Sequence, residues 1–440
     1  MKVGLHTLGC KLNQAETSVI GSRFAARGFE LTHLQDDADV VFINSCTVTE
    51  TAEKECRRLV RGALRRNPAA FVIVTGCYAQ LRPEEVASID GVDLVLGSVE
   101  KRRAVELAHD FRKRDTPYVE VSNLRHDNGF GVGYTGVEEG RTKAFLKVQD
   151  GCDYSCSFCT IPLARGPSRS QALDESVTLA TKLVNQGFSE IVLTGVNVGD
   201  YQKKEGGSLY LLLQKLHEIE GLKRLKLSSI EPNLLTDDII ALAARSDRLM
   251  PHFHVPLQSG SEEVLRRMRR RYQPAYYAER VRTLVNALPD CAVGVDVIVG
   301  FPGETKAEFQ ETVDFLCDLP IAYLHVFSYS ERRHTPAATM ENPVPRDERR
   351  LRTTVLRTLS NTMWTHFAQR FVGTERNVLF EQPTESGLLT GLTDNYIRVD
   401  VQADPNLSGT VQRVRIGEFY DGRAAGILVG QPKAPISKSW

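Results

Sequence analysis

Residues 143–159 read Lys-Ala-Phe-Leu-Lys-Val-Gln-Asp-Gly-Cys-Asp-Tyr-Ser-Cys-Ser-Phe-Cys. The apolar run Ala144–Val148 predicts a strand, and Cys152, Cys156 and Cys159 follow it as C-x3-C-x2-C. Three thiolates on one loop can hold three irons of a four-iron cubane and leave the fourth iron open to a small molecule, whereas an electron-transfer ferredoxin fills all four positions with cysteine. A structural zinc site would need a fourth converging Cys or His, and the nearby sequence offers none. Further strands are expected at Glu190–Thr194, Arg224–Ser228, Phe253–Leu257, Gly294–Val299 and Tyr323–Phe327, alternating with helical stretches such as Ala172–Gln186, Leu209–Glu220 and Lys306–Leu319. Six β–α units are too few for an eightfold barrel and suit a partial one. A polar helix from about Pro345 to Phe371 closes the series.

Working toward the N-terminus, strands are expected at Lys2–Leu8, Val40–Asn44, Phe71–Thr75 and Leu94–Leu96, with helices at Ala15–Arg27 and Thr51–Arg66 between them. This alternation predicts a parallel sheet with crossover helices. Cys10, Cys46 and Cys77 are 36 and 31 residues apart, spacings that mean nothing for a local metal motif. Each ends a predicted strand, however, and a parallel sheet places all its C-terminal strand ends on one edge. Gly9 and Gly76 would let the backbone approach closely there. The alternative is three unrelated buried cysteines. Cys56, Cys291 and Cys317 match no ligand position and read as packing residues.

Working toward the C-terminus, short strands at Asn377–Glu381, Gly387–Gly391, Tyr396–Val401, Val411–Ile416 and Ala425–Val429 predict a small β-barrel of oligonucleotide-binding style. The expected division is residues 1–115, a Gly/Asn/Asp-rich linker over 116–140, a core over 141–370 and the tail domain over 371–435. The fold class is α/β with that small β-barrel appended.

Composition sets limits. The 440 residues carry 55 Lys plus Arg and 55 Asp plus Glu, a net charge of +0, which excludes a bulk polycation but not a local basic groove. A hydrophobic fraction of 42% with 25% charged residues excludes global disorder. No stretch approaches the roughly 20 apolar residues of a membrane span, so no membrane partner is expected. Met1–His6 lacks an apolar signal core, which predicts a cytoplasmic location. Nine cysteines in a reducing compartment point to metal or catalysis rather than disulfides.

The loop Cys152-Asp153-Tyr154-Ser155-Cys156-Ser157-Phe158-Cys159, including the aromatic Phe158, resembles the cluster loop of the radical S-adenosylmethionine (SAM) superfamily. Leu8-Gly9-Cys10-Lys11-Leu12-Asn13-Gln14-Ala15-Glu16, Asn44-Ser45-Cys46-Thr47-Val48-Thr49 and Ala52-Glu53 resemble the N-terminal domain of its methylthiotransferases. So do Arg165-Gly166, Thr194-Gly195-Val196-Asn197, His254–Ser261 and Gly300-Phe301-Pro302-Gly303-Glu304, and the tail is similar to the family's TRAM domain. Cys46–Thr49 and Thr335–Ala338 resemble the MtaB-type tRNA branch best, and His334 stands where the family pattern has Gly.

The resemblance implies two 4Fe-4S clusters, one on Cys152, Cys156 and Cys159 and an auxiliary one on Cys10, Cys46 and Cys77. It implies SAM as cosubstrate, with Phe158 of the cysteine loop, Gly195, Asn197, Ser229, Glu231 and Gln258 after strands, and Asp296 on a strand as contacts to SAM or substrate. It also implies a tRNA anticodon stem-loop as substrate, an electron donor such as flavodoxin or ferredoxin, and a sulfur donor. The branch implies methylthiolation of C2 of N6-threonylcarbamoyladenosine at position 37; the alternatives are N6-isopentenyladenosine or a ribosomal-protein aspartate. The run Arg266-Arg267-Met268-Arg269-Arg270-Arg271 follows a site strand, so Arg269, Arg270 and Arg271 are candidate phosphate contacts. From Arg370 to Trp440 eight basic residues balance eight acidic ones, so RNA binding there would rest on shape and stacking. Phe380, Tyr396 and Phe419 could stack on bases, though barrel packing is the simpler role.

Overall fold

A computed structural model of the chain describes residues 1–34, 36–46, 50–108, 110–124, 129–135, 142–204 and 206–430. The branch-like stretch Thr47–Thr49, residues 125–128 and 136–140 of the expected linker, and 431–435 of the expected tail domain lie outside the described residues.

The first unit is a six-stranded parallel sheet of β1 (Lys2–Thr7), β2 (Glu30–His33), β3 (Val40–Ser45), β4 (Phe71–Gly76), β5 (Leu94–Leu96) and β6 (Tyr118–Glu120). Their spatial order is β2-β1-β3-β4-β5-β6. Every residue of β3 and β4 is buried, because crossover helices cover both faces of a parallel sheet. This is why Val40–Ile43 and Phe71–Val74 are continuous apolar runs rather than alternating ones. β2 gave little sequence signal, being a short and mostly exposed edge strand. Tyr118–Glu120 falls within the expected linker but pairs with Leu94–Leu96 as the other edge.

The central unit contains β7 (Lys143–Lys147), a short antiparallel pair β8 (Gln149–Asp150) and β9 (Arg169–Ser170), then β10 (Glu190–Thr194), β11 (Arg224–Leu227), β12 (His252–His254), β13 (Ala292–Val299) and β14 (Tyr323–Ser328). β7, β10 and β11 pair in parallel, as do β12, β13 and β14. Bridges Leu225↔Leu249 and Ser229↔His254 join the two halves, giving a partial (β/α)6 barrel. Its core runs continuously from Ala144 and Leu146 through Leu193, Leu225 and Phe253 to Val297 and Leu324. The helix Lys306–Cys317 starts with a complete capping box in which Thr305 and Glu308 satisfy each other's backbone.

The helix Arg346–Gln369 leads to a closed barrel of β15 (Glu375–Pro383), β16 (Leu389–Thr393), β17 (Arg398–Val401), β18 (Val411–Tyr420) and β19 (Arg423–Leu428). Closure removes the exposed edges that five short strands would otherwise present. Phe380 is fully buried in this barrel and Phe419 packs against its core. Tyr396 behaves differently: its hydroxyl donates to Glu190 Oε1 at 2.7 Å, and Arg224 donates to the carbonyls of Leu392 and Thr393. The small barrel is thereby seated on the N-terminal end of the partial barrel. Among the described residues, no helix is long and apolar enough to cross a membrane.

Candidate functional site

The cysteine loop leaves the sheet at Gly151, whose φ is +70° and where any Cβ would collide with the Pro167 carbonyl. Burial pushes the Cys152 thiol up to about 11 and the Cys159 thiol up to about 12, with the neighbouring sulfurs acting in the same direction. Donors nevertheless point at the sulfurs. The amides of Tyr154 and Ile161 donate to Cys152 Sγ and Cys159 Sγ at 3.4 Å, and Arg270 Nη1 donates to Cys156 Sγ at 3.2 Å. Neutral thiols gain little from such donors, but anionic, metal-bound thiolates gain much. The donor set therefore fits a cluster held by three cysteines.

Beside this loop, at the C-terminal ends of β10 and β11, Thr194 Oγ1, Asn197 Nδ2 and Ser228 Oγ are buried without a hydrogen-bond partner among the described residues. Orphaned polar atoms are costly unless a ligand completes them. Gly195 lies so close to Gln149 that a Cβ would sit 2.9 Å from Gln149 Oε1, an atom that also accepts from the Asn197 amide at 2.9 Å. Phe158 is partly buried against Met268, Phe301 and Tyr329. Gln258 is held at φ +76° between β12 and β13, a strained setting for a non-glycine residue. These residues fit a polar small molecule such as SAM, and Thr194 and Ser228 were missed from sequence because hydroxyls at strand ends are too common to stand out.

Other expected contacts are already engaged. Ser229 Oγ donates to His254 Nδ1 at 2.9 Å, and His254 Nε2 donates to Asp296 Oδ1 at 2.7 Å. His325 Nδ1 adds a third link at 3.2 Å. Burial alone would raise the Asp296 carboxyl, but these histidine hydrogen bonds outweigh it and hold the group at about 2. Glu231 is ion-paired with Arg270. Arg270 itself, expected on a phosphate-contacting rim, has a side chain only 3% exposed and lies against Cys156, Glu231 and Tyr272. Of the three candidate phosphate contacts, Arg269 is exposed, while Arg271 is exposed but stacked 3.8 Å from the Tyr154 ring centroid.

The second cysteine group also comes together. Ser45 pairs with Gly76 in register, so Cys46 and Cys77 leave the sheet side by side. Gly9 approaches so closely that a Cβ on it would lie 2.6 Å from Cys46 Sγ, which brings the Cys10 turn onto the same edge. Burial raises the Cys77 thiol, the positive charges of Arg165 and Lys101 oppose this, and Cys10 is near enough to add to the rise. Cys10 is exposed while Cys46 and Cys77 are buried, so the group opens on one side. Cys56 and Cys291 are buried packing residues as expected, whereas Cys317 is exposed.

Between the two cysteine groups lies a buried charge network that sequence reading left unassigned. Glu16 accepts from Lys101 Nζ at 2.6 Å and Lys147 Nζ at 2.7 Å, and lies 3.3 Å from Arg165. Arg165 also pairs with Asp150 at 2.9 Å and bonds Asn13. Arg165 sits in the helix Ile161–Arg165, immediately after the first cysteine loop, yet its charge reaches Cys77 and Cys10. One side chain thus touches the surroundings of both groups. A second bridge joins Glu53 to Arg332 at 2.9 Å and to Arg82 at 3.1 Å. Next to it, a cavity of about 310 Å³ is lined by Leu81, Arg82, Glu84, Glu85, Thr160, Arg332, Arg333 and His334. His334 has φ +67°, the conformation that explains a glycine in the family pattern.

Residues 2–97 match the model of "Uncharacterized protein family UPF0004", and residues 146–316 match that of the radical SAM superfamily. The threonylcarbamoyladenosine tRNA methylthiotransferase MtaB of Bacillus subtilis is 40% identical over 420 residues, covering 94% of this chain and 93% of that protein. The chain belongs to the radical SAM tRNA methylthiotransferases. Membership makes it an enzyme of that kind and implies a 4Fe-4S cluster and SAM. The MtaB of Aquifex aeolicus is 37% identical, with 91% of this chain and 96% of that protein covered. A tRNA-2-methylthio-N(6)-dimethylallyladenosine synthase of Histophilus somni is 32% identical, with 97% and 92% covered. Among solved structures, the radical SAM methyltransferase TsrM of Kitasatospora setae superposes with a TM-score of 0.55 at 17% identity, covering 77% of this chain and 74% of that one, a likeness of fold alone.

Proposed function

We propose that this enzyme replaces the C2 hydrogen of N6-threonylcarbamoyladenosine, at position 37 beside the tRNA anticodon, with a methylthio group. The observation that carries the chemistry is the pair of separate three-cysteine groups, with Arg165, which follows the first cysteine loop, placing its charge near Cys77 and Cys10 of the second. Cys152, Cys156 and Cys159 would hold one 4Fe-4S cluster, and Cys10, Cys46 and Cys77 an auxiliary one. With SAM bound, the first cluster would supply the one-electron chemistry that an unactivated ring C–H bond requires, and the second would supply sulfur.

The chain's own residues support that chemistry by position and charge. Thr194, Asn197 and Ser228 offer unsatisfied groups to the polar parts of SAM. Arg270 puts a guanidinium against the sulfur of Cys156, where it would stabilise a metal-bound thiolate, and its ion pair with Glu231 holds it there. Burial raises the Cys77 thiol, and the charges of Arg165 and Lys101 act against that rise. The base assignment is supported by the relatives: the threonylcarbamoyladenosine enzymes are 34% to 40% identical over nearly full length, against 32% for the Histophilus synthase. An electron donor, a sulfur donor and the exposed Arg269 and Arg271 as stem-loop contacts complete the proposal.

Nucleoside mass spectrometry of tRNA from cells lacking this enzyme is the test. The methylthio group should vanish from threonylcarbamoyladenosine and persist on the isopentenyl derivative; the reverse pattern rejects the base assignment and leaves the chemistry standing.

A further inference from the structure

The floor of the partial barrel carries charge that neither cysteine group uses. Lys226, in β11, is 7% exposed, and no carboxylate or other hydrogen-bond acceptor among the described residues meets its Nζ. That atom lies 3.3 Å from the centroid of the Tyr396 ring instead. The acids nearby carry other partners, although the charge of Glu190 still acts on Lys226 and its Oε2 accepts no hydrogen bond among the described residues. Glu190 pairs with Arg224 at 3.2 Å and accepts from Tyr396, while Glu381 takes Lys143 at 2.7 Å and Arg398 at 3.2 Å. Lys11, from the first unit, is near enough for its charge to act on Lys226 and on His252, and it too forms no ion pair among the described residues. Burial first, and then the charge of Lys11, hold the Lys226 ammonium well below the ordinary lysine range. Above this floor the lumen is open: His325 and Phe327, inward-facing on β14, are exposed.

A buried ammonium that no acid meets at hydrogen-bond distance is costly, and the cost is reduced when a ligand brings an anion to it. A compact ammonium on a flexible stem suits a single carboxylate approached from an open side. An isopentenyl chain offers no charge to such a site, whereas a threonylcarbamoyl group offers one carboxylate. We infer that Lys226, seated on the Tyr396 ring with Lys11 beside it, is the anion-binding end of the base pocket and takes the carboxylate of an amino-acid substituent on adenine. The inference rests on the base assignment proposed above and supplies its physical cause. A site built around an ionic partner rejects the analogue lacking it far more strongly than an apolar pocket rejects a smaller chain.

The test uses the reconstituted full-length enzyme and three anticodon stem-loops, bearing threonylcarbamoyladenosine, the same base with its carboxylate converted to a neutral amide, or isopentenyladenosine. The wild type should favour the carboxylate over the amide by about tenfold or more in kcat/KM. Lys226→Met keeps the apolar stem and should bring that ratio close to one. Lys11→Met, at an exposed position, should lower the ratio in the same direction and guards against a folding defect in the first variant. A wild-type ratio near one, or variants that both retain the wild-type ratio, overturns the anion site while the base assignment stands. A wild type that modifies only the isopentenyl stem-loop overturns the base assignment and the site with it.

Discussion

Replacing Glu16 by Gln tests the contact that fixes the first sheet to the partial barrel. Glu16 is 4% exposed and faces Lys101, Lys147 and Arg165 at 2.6, 2.7 and 3.3 Å. Burial alone would raise its carboxyl, but the charges of Arg165, Lys101 and Lys147 outweigh burial and hold it well below the usual carboxylate range. Glutamine keeps the volume and removes the charge, leaving those three cations and Arg169 to share Asp150. Breaking a buried ionic network by removing one partner costs about 3–5 kcal/mol, which at about 2–4 °C per kcal/mol lowers the melting temperature by about 6–20 °C. The sign of the pH effect follows from the depressed carboxyl: its contribution is complete above about pH 5, where the unfolded group is ionised, and drains as pH falls toward the folded value. Wild type and Glu16→Gln should therefore differ most near neutrality and converge in acid. Scanning calorimetry over that pH range is the assay, with Lys147→Met in the Glu16→Gln background as a control that should recover part of the loss. A Glu16→Gln protein melting within about 2 °C of wild type at pH 7 would refute the network as the joint between the units.

The two cysteine groups make opposite predictions. Replacing Cys152, Cys156 and Cys159 together by Ala should abolish reductive SAM cleavage and halve the iron of the reconstituted protein; 5′-deoxyadenosine formed by this variant under dithionite would show the loop assignment to be wrong. Replacing Cys10, Cys46 and Cys77 by Ala should also halve the iron but leave SAM cleavage in place and methylthiolation absent, with circular dichroism unchanged; continued methylthiolation would refute the two-cluster reading.

Much of the architecture was readable from local pattern. Glu190–Thr194 forms a strand at the expected bounds, and the other barrel strands lie within one or two residues of expectation at most ends. Hydrophobic periodicity is a local property that burial on both faces of a parallel sheet enforces. The C-x3-C-x2-C motif was legible because all three thiols lie on one loop. Cys10, Cys46 and Cys77 were also legible, because parallel topology converts three distant strand ends into one edge.

What the sequence could not reveal depends on which side chains meet across units. Arg270 lies in an arginine run expected on a phosphate-contacting rim, yet it is buried against Cys156, and Glu231, in the loop after β11, supplies its counter-charge. Tyr396 reads first as a packing residue of the small barrel, yet its hydroxyl reaches Glu190 of the partial barrel, 206 residues away. Glu16 and Arg165 are 149 residues apart, and among the described residues Lys226 meets no acid at hydrogen-bond distance while Arg224, Lys143 and Arg398 hold the nearby ones. By itself the sequence determined the strands, the cluster loop and the common edge of the three cysteines, since each follows from periodicity or chain direction. Only the tertiary structure decided which charges are neutralised and which remain for a ligand, because Coulomb attraction acts on distance in space and is indifferent to distance along the chain.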